Sequence, residues 1–206
     1  MLLSGKSALR IAACVMLAPA AIGAQEAATP STAPALSAEQ QIAVAVLPLP
    51  ADMRAGATVL GYGADGKLAE LRKGTGDMTC LAPNRTIQRF HVACYHNSLE
   101  PFMARGRTLR ANGVTGDAVD STRFKEIRDG QLAMPRTPAS LYSLTGEWST
   151  LDAATLTTKG ARPLFVVYMP FATGKTTGLS ERPARGTSWL MGAGTPKAHM
   201  MFVPEM

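Results

Sequence analysis

Ala57 to Leu81 reads ATVLGYGADGKLAELRKGTGDMTCL, and its punctuation decides the fold. Ala57 to Tyr62 is β-branched and apolar, Ala64-Asp65-Gly66 is a turn signal, and Lys67 to Arg72 alternates. Together they predict a β-hairpin. Gly74-Thr75-Gly76-Asp77 marks a second turn, which leads into Met78 to Leu81 and the cysteine Cys80. After a loop, Phe90 to Tyr95 reads as another strand, carrying Cys94. Strands that arrive as hairpins, rather than alternating with helices, predict an α+β domain with a mostly antiparallel sheet.

Outward from this stretch, Ser98 to Asn112 predicts a helix capped by Ser98, with Pro101 in its first turn and Gly113 as its stop. Leu99, Phe102, Met103 and Leu109 fit one face, and Arg105, Arg107 and Arg110 spread over the rest as solubilising charge. Ser121 to Arg128 predicts a further helix. Leu141 to Leu144, Leu164 to Met169, Ser188 to Met191 and His199 to Val203 read as strands, and Glu147 to Ala161 as polar and irregular. Upstream, Ser37 and Gln40 have capping-box spacing ahead of Ile42 to Leu47, Pro48 ends that helix, and Leu47-Pro48-Leu49-Pro50 reads as extended linker. The expectation is one α+β domain over 37–206 with two or three helices.

The N-terminus has the three-part layout of a secretory signal. Lys6 and Arg10 are its positive region, Ile11 to Ala21 is apolar, and Ala24 places a small residue before a cut at Gln25. The apolar run is well short of the ~20 residues that span a bilayer. Ile11-Ala12-Ala13-Cys14 has the look of a lipoprotein box, but a lipobox closes an apolar run and this one opens it. Residues 1–24 are thus expected to be a cleaved signal peptide, and 25–36, rich in Ala, Pro and Thr, a flexible linker. Removing 24 residues from 206 leaves 182, a length that suits one domain. No later stretch approaches membrane-spanning length, so no transmembrane anchor is expected after cleavage. The formal net charge is +6, of which Lys6 and Arg10 supply two. The remaining +4 is compatible with anionic envelope surfaces and too dispersed for nucleic acid.

Two cysteines remain beyond the signal, Cys80 and Cys94. In a periplasmic or secreted protein an even count points to a disulfide, with two buried free thiols as the alternative.

An ordered series of segments supports a resemblance. It runs Gln41-Ile42-Ala43 with Leu47-Pro48, Gly56 to Leu60, Arg72 to Gly76 with Thr79-Cys80-Leu81, Ala93-Cys94-Tyr95, and Gly194-Thr195-Pro196-Lys197-Ala198-His199-Met200. The order of these segments resembles a broad set of exported, periplasmic bacterial proteins with a cysteine pair and a C-terminal segment of the last type. Gly76-Asp77 departs from the Asn-Gly-like turn common there. The resemblance implies a secreted single domain and supplies no mechanism.

Candidate chemistry gathers in two places. His91, Cys94 and His96 carry zinc- or copper-type donors, with Cys80 upstream. On a strand, however, Cys94 and His96 share a face that His91 does not, and a disulfide removes both thiolates. Near the C-terminus, His199 stands beside Met200 and Met201, with Met191 and Met206 nearby in sequence. Imidazole and thioether suit copper(I), although Met200 and Met201 face opposite ways. His199 with Trp189 also suggests a small-ligand pocket, with His96 a further candidate. Gly174-Lys175-Thr176 has the end of a phosphate-binding loop, but Met169 stands where its first glycine belongs. No Gly-x-Ser-x-Gly elbow occurs.

The expectation is a non-catalytic envelope protein that binds a small ligand or a protein partner, with no cofactor and no resident metal. The alternatives are an envelope hydrolase using His199 or His96 as general base, and a copper or zinc binding protein.

Overall fold

Ser37 caps the first helix as its spacing with Gln40 requires. Its hydroxyl accepts from the Gln40 amide, and the Gln40 side chain accepts from the Ser37 amide. The computed structural model describes residues 33–184 and 186–204. The expected signal peptide and most of the linker lie outside the described residues.

Helix α1 spans Ala38–Ala45 and ends earlier than the sequence suggests. Leu47 to Pro50 is not an extended linker. It turns inward so that Val46 and Leu49 enter the core. Arg54, in the single turn α2 (Ala51–Arg54), donates to the carbonyls of Leu47 and Leu49 at 3.0 and 2.8 Å, satisfying backbone that Pro48 and Pro50 leave outside any ladder.

Strands β1 (Thr58–Tyr62) and β2 (Leu68–Arg72) form the expected antiparallel hairpin. Strand β3 (Met78–Leu81) then lies on the other side of β1 and runs parallel to it. The chain must therefore cross the start of β1, which hairpin logic does not foresee. Gly74 and Gly76 make the crossing. The Gly76 amide donates to the Gly56 carbonyl at 2.8 Å, and the Gly74 amide donates to the Thr58 hydroxyl at 3.0 Å.

The remaining strands are β4 (Phe90–His96), β5 (Ala139–Gly146), β6 (Leu151–Asp152), β7 (Thr157–Thr158), β8 (Arg162–Tyr168), β9 (Trp189–Met191) and β10 (His199–Phe202). The large sheet has the order β2-β1-β3-β4-β5-β8-β10-β9, antiparallel except for β1 with β3. This is the α+β class expected. The stretch from Glu147 is less irregular than its polarity suggests, because β6 and β7 pair as a small hairpin with Trp148 and Leu151 buried.

One face of the large sheet takes Phe90, Val92 and Cys94 of β4 under α1, with Trp148 and Leu151 closing the layer. The opposite face takes Tyr95 and Val166 under Leu99, which lies just ahead of α3 (Glu100–Ala111), Phe102 of α3 and Phe124 of α4 (Asp117–Arg128). Fully burying a side chain such as Phe90, Phe102 or Leu99 contributes roughly 1.5–3 kcal/mol. Two of the three arginines of α3 are not plain solubilising charge, while Arg110 is exposed as expected. Arg105 grips the Glu126 carboxylate of α4, and Arg107 reaches both Glu100 and the Tyr95 hydroxyl. Beside the three longer helices stand two single turns, α2 and α5 (Gly174–Thr177).

Candidate functional site

Gly130, at φ 72°, ends α4 in the left-handed conformation that glycine adopts freely. The connection from 130 to 138 then carries Pro135 and Pro138, which withhold backbone donors and keep it out of the sheet. It skirts the sheet until β5 begins at Ala139. Across from it, Pro170 ends β8 and the chain turns through Phe171. Between the end of α4, the 130–138 connection and this turn lies an open cleft of about 770 Å³. That volume falls within the range of small-ligand sites, roughly 300–1,000 Å³. Ile127, Leu132, Met134, Pro138, Met169 and Phe171 give it an apolar lining. Thr137, Thr177 and Arg136 add polar groups, and Arg136 is exposed with no ion pair among the described residues.

Phe171 is the most unusual residue of the cleft. It is 53 % exposed and sits at φ 65°, a region costly for an aromatic residue. Three backbone hydrogen bonds hold its turn against the 194–198 segment. Met169 donates to Ala198 at 2.9 Å, Phe171 to Thr195 at 2.8 Å, and Gly194 to Ala172 at 2.7 Å. The segment from Gly194 to His199 thus braces one wall of the cleft. Lys197 ties the brace to α4 by donating to Asp120 at 2.9 Å.

Asp120 also receives Arg123, whose side chain is 4 % exposed and lies with its guanidinium 3.7 Å from the Phe102 ring centroid. Arg123 donates to the Phe102 carbonyl at 3.0 Å. Gly106 makes room for it, since a Cβ there would come 2.8 Å from Arg123 Nη1. Burial disfavours the charge on Asp120, but the hydrogen bonds and charges of Lys197 and Arg123 outweigh it and hold the carboxyl below its ordinary range.

His199 stacks on Tyr168 with ring centroids 5.2 Å apart, and its Nδ1 donates to the Lys197 carbonyl at 2.6 Å. That leaves Nε2 as the ring's acceptor. Burial lowers its pKa, the backbone hydrogen bond acts the other way, and the charge of Lys197 adds to the lowering. Trp189 lies on the same sheet face, 9 % exposed, with its Nε1 unpartnered. His96 does not join them. It faces the α1 side beside Met78, three strands away, about 14 Å at ordinary strand spacing. There its Nδ1 meets the Ser98 hydroxyl at 2.8 Å and accepts from the Ser98 amide, capping a turn. None of these three residues lines the cleft.

Cys80 and Cys94 face each other directly across β3 and β4 and are bonded, with S–S 2.07 Å and Cα–Cα 4.0 Å. His91 points away from them and meets Thr145 at 2.9 Å. Among the described residues no three His, Cys, Asp or Glu side chains gather to hold a metal. At Gly174 the Glu181 carboxylate accepts from the amide at 2.7 Å, so a side chain occupies the place a phosphate would need.

Sequence reasoning missed the cleft, Phe171, Arg136 and the Asp120–Arg123–Lys197 network. The available signal was a pair of proline-marked apolar segments, Met134-Pro135 with Pro138, and Met169-Pro170-Phe171. Comparison with family models, curated proteins and solved structures finds no match to this chain.

Proposed function

We propose that this chain is an exported, disulfide-linked, non-catalytic binding domain whose cleft holds a small amphipathic molecule. The apolar body would lie along Leu132, Met134 and Met169, and an anionic group would meet Arg136. The observation that carries the reading is Phe171, an aromatic ring held exposed at the rim of an apolar cleft in a costly backbone conformation. Strain of this kind collects at ligand-contacting positions. The cleft volume and its few convergent polar groups support the same reading. Neither His199 nor His96 enters the cleft, which favours binding over hydrolysis. Export is supported by the signal-like N-terminus and by the Cys80–Cys94 bond.

Native mass spectrometry of the protein recovered from the envelope fraction of its host tests both halves. The expected species begins at Gln25, takes up alkyl groups only after reduction, and carries a small-molecule adduct that denaturation releases. A chain beginning at Met1 with free cysteines would contradict export, and a native mass equal to the bare chain would contradict a resident ligand.

A further inference from the structure

The β9–β10 ribbon brings together side chains that lie far apart in the one-dimensional pattern. His199 is directly opposite Met191, and Met201 is directly opposite Trp189. Cross-strand partners share a face, and positions two apart on a strand share it as well. Trp189, Met191, His199 and Met201 therefore form a two-by-two square on one face. Facing Cβ atoms in such a square lie about 5 Å apart, within reach of long side chains from either row. Met200, beside them in sequence, belongs to the opposite face.

We propose that this square is a copper(I) site, with His199 Nε2 and the thioethers of Met191 and Met201 as ligands and the Trp189 indole against the bound ion. The ligand types decide the metal. Thioether sulfur is soft and uncharged, and it selects copper(I) over zinc or calcium. The His199 ring is already oriented, because its Nδ1–H donates to the Lys197 carbonyl. A hydrogen bond of this kind fixes the tautomer of a metal-bound histidine and frees the other nitrogen. Nε2 makes no hydrogen bond among the described residues. Lys197, the nearest cation in sequence, is paired with Asp120.

Packing does not explain the arrangement. Met191 is 42 % exposed on a three-residue edge strand, so it fills no core. Trp189 stands in the row with Met201, with its ring largely buried beside the thioethers. An aromatic face beside the thioethers offers a monovalent cation further attraction without adding charge.

The disulfide-linked protein purified from its host can be titrated anaerobically with copper(I) bicinchoninate in ascorbate, which leaves the Cys80–Cys94 bond intact. One equivalent of copper(I) should move to the protein. Met191→Leu and Met201→Leu should each weaken binding by about tenfold or more, since even the loss of an outer partner of a metal ligand costs that much. Both substitutions nearly conserve side-chain volume, so the variants should keep their circular dichroism. Met200→Leu, on the opposite face, should bind like the native chain. X-ray absorption of the complex should show mixed sulfur and nitrogen ligation. Failure to withdraw copper from the indicator would overturn the proposal. So would equal affinity in all three variants, or a loss in Met200→Leu matching that in Met191→Leu.

Discussion

Gly74 passes so close to Gly56 that a Cβ on Gly74 would lie 2.3 Å from the Gly56 carbonyl oxygen and 2.3 Å from the Thr58 amide nitrogen. Both neighbours are backbone, and neither can yield without pulling β1 out of the sheet. Gly74→Ala should destabilise the fold by about 3 kcal/mol or more, the upper end for overpacking. Gly66→Ala is the informative comparison. Gly66 also has a positive φ, 73°, but nothing lies within 4 Å of a Cβ there. Its cost should be about 1 kcal/mol of backbone strain alone. Urea denaturation of both variants separates steric from conformational cost, and equal losses would contradict the crossing.

The Cys80–Cys94 bond closes a loop with a sequence separation of 14 between two strands that already pair. In the chain-entropy model such a loop contributes about 3 kcal/mol by restricting the unfolded chain. Reduction should lower the guanidinium midpoint accordingly, and Cys80→Ala with Cys94→Ala should reproduce the reduced protein. A midpoint unmoved by reduction would show that the strand pairing needs no cross-link.

Acid sensitivity should trace to Asp120. Its carboxyl is held below its ordinary range in the fold. A depressed carboxyl contributes stability that is complete above the unfolded pKa, about 3.9, and is lost as pH falls through the folded value. Asp120→Asn should cost about 2 kcal/mol at pH 7, less than a fully buried pair would because Asp120 is partly exposed. The gap between the variant and the native chain should narrow only as pH falls below the unfolded carboxyl range and through the depressed folded value. Stability measured from pH 7 down to pH 2.5 checks both statements.

Phe171→Gly should separate stability from binding. Glycine at φ 65° removes strain worth about 1 kcal/mol or more, which offsets part of the packing lost with the half-exposed Phe171. The variant should lose little stability, yet bind cleft ligands less tightly. A marked drop in stability would mean that the ring packs as structure.

Much of the fold was legible because its signals were local. The Ser37–Gln40 capping box, the hairpin at Ala64-Asp65-Gly66 and the apolar face of α3 each depend on residues within a few positions of one another. What escaped was non-local. Nothing in Gly74-Thr75-Gly76 distinguishes a tight turn from a strand crossing until Gly56 is placed beside it. Arg123 reads as surface charge on a helix, and only Gly106, on the neighbouring helix, shows why it can be buried. The cleft was hidden for the same reason: its walls come from segments some 35 positions apart that lack regular periodicity. His199 and Trp189 stood out from the start, but the strand register was needed to put Met191 and Met201 beside them.

The cleft reading is tested most directly by titrating the native protein with 8-anilinonaphthalene-1-sulfonate, whose aromatic body and sulfonate match the apolar lining and Arg136. A parallel titration uses Ala133→Trp, which places an indole in the cleft at an exposed position. The native chain should show saturable, one-site fluorescence enhancement, weakened in Arg136→Ala and abolished in Ala133→Trp at unchanged circular dichroism. Absence of saturable binding, or undiminished binding in Ala133→Trp, would contradict the assignment of this cleft as the ligand site.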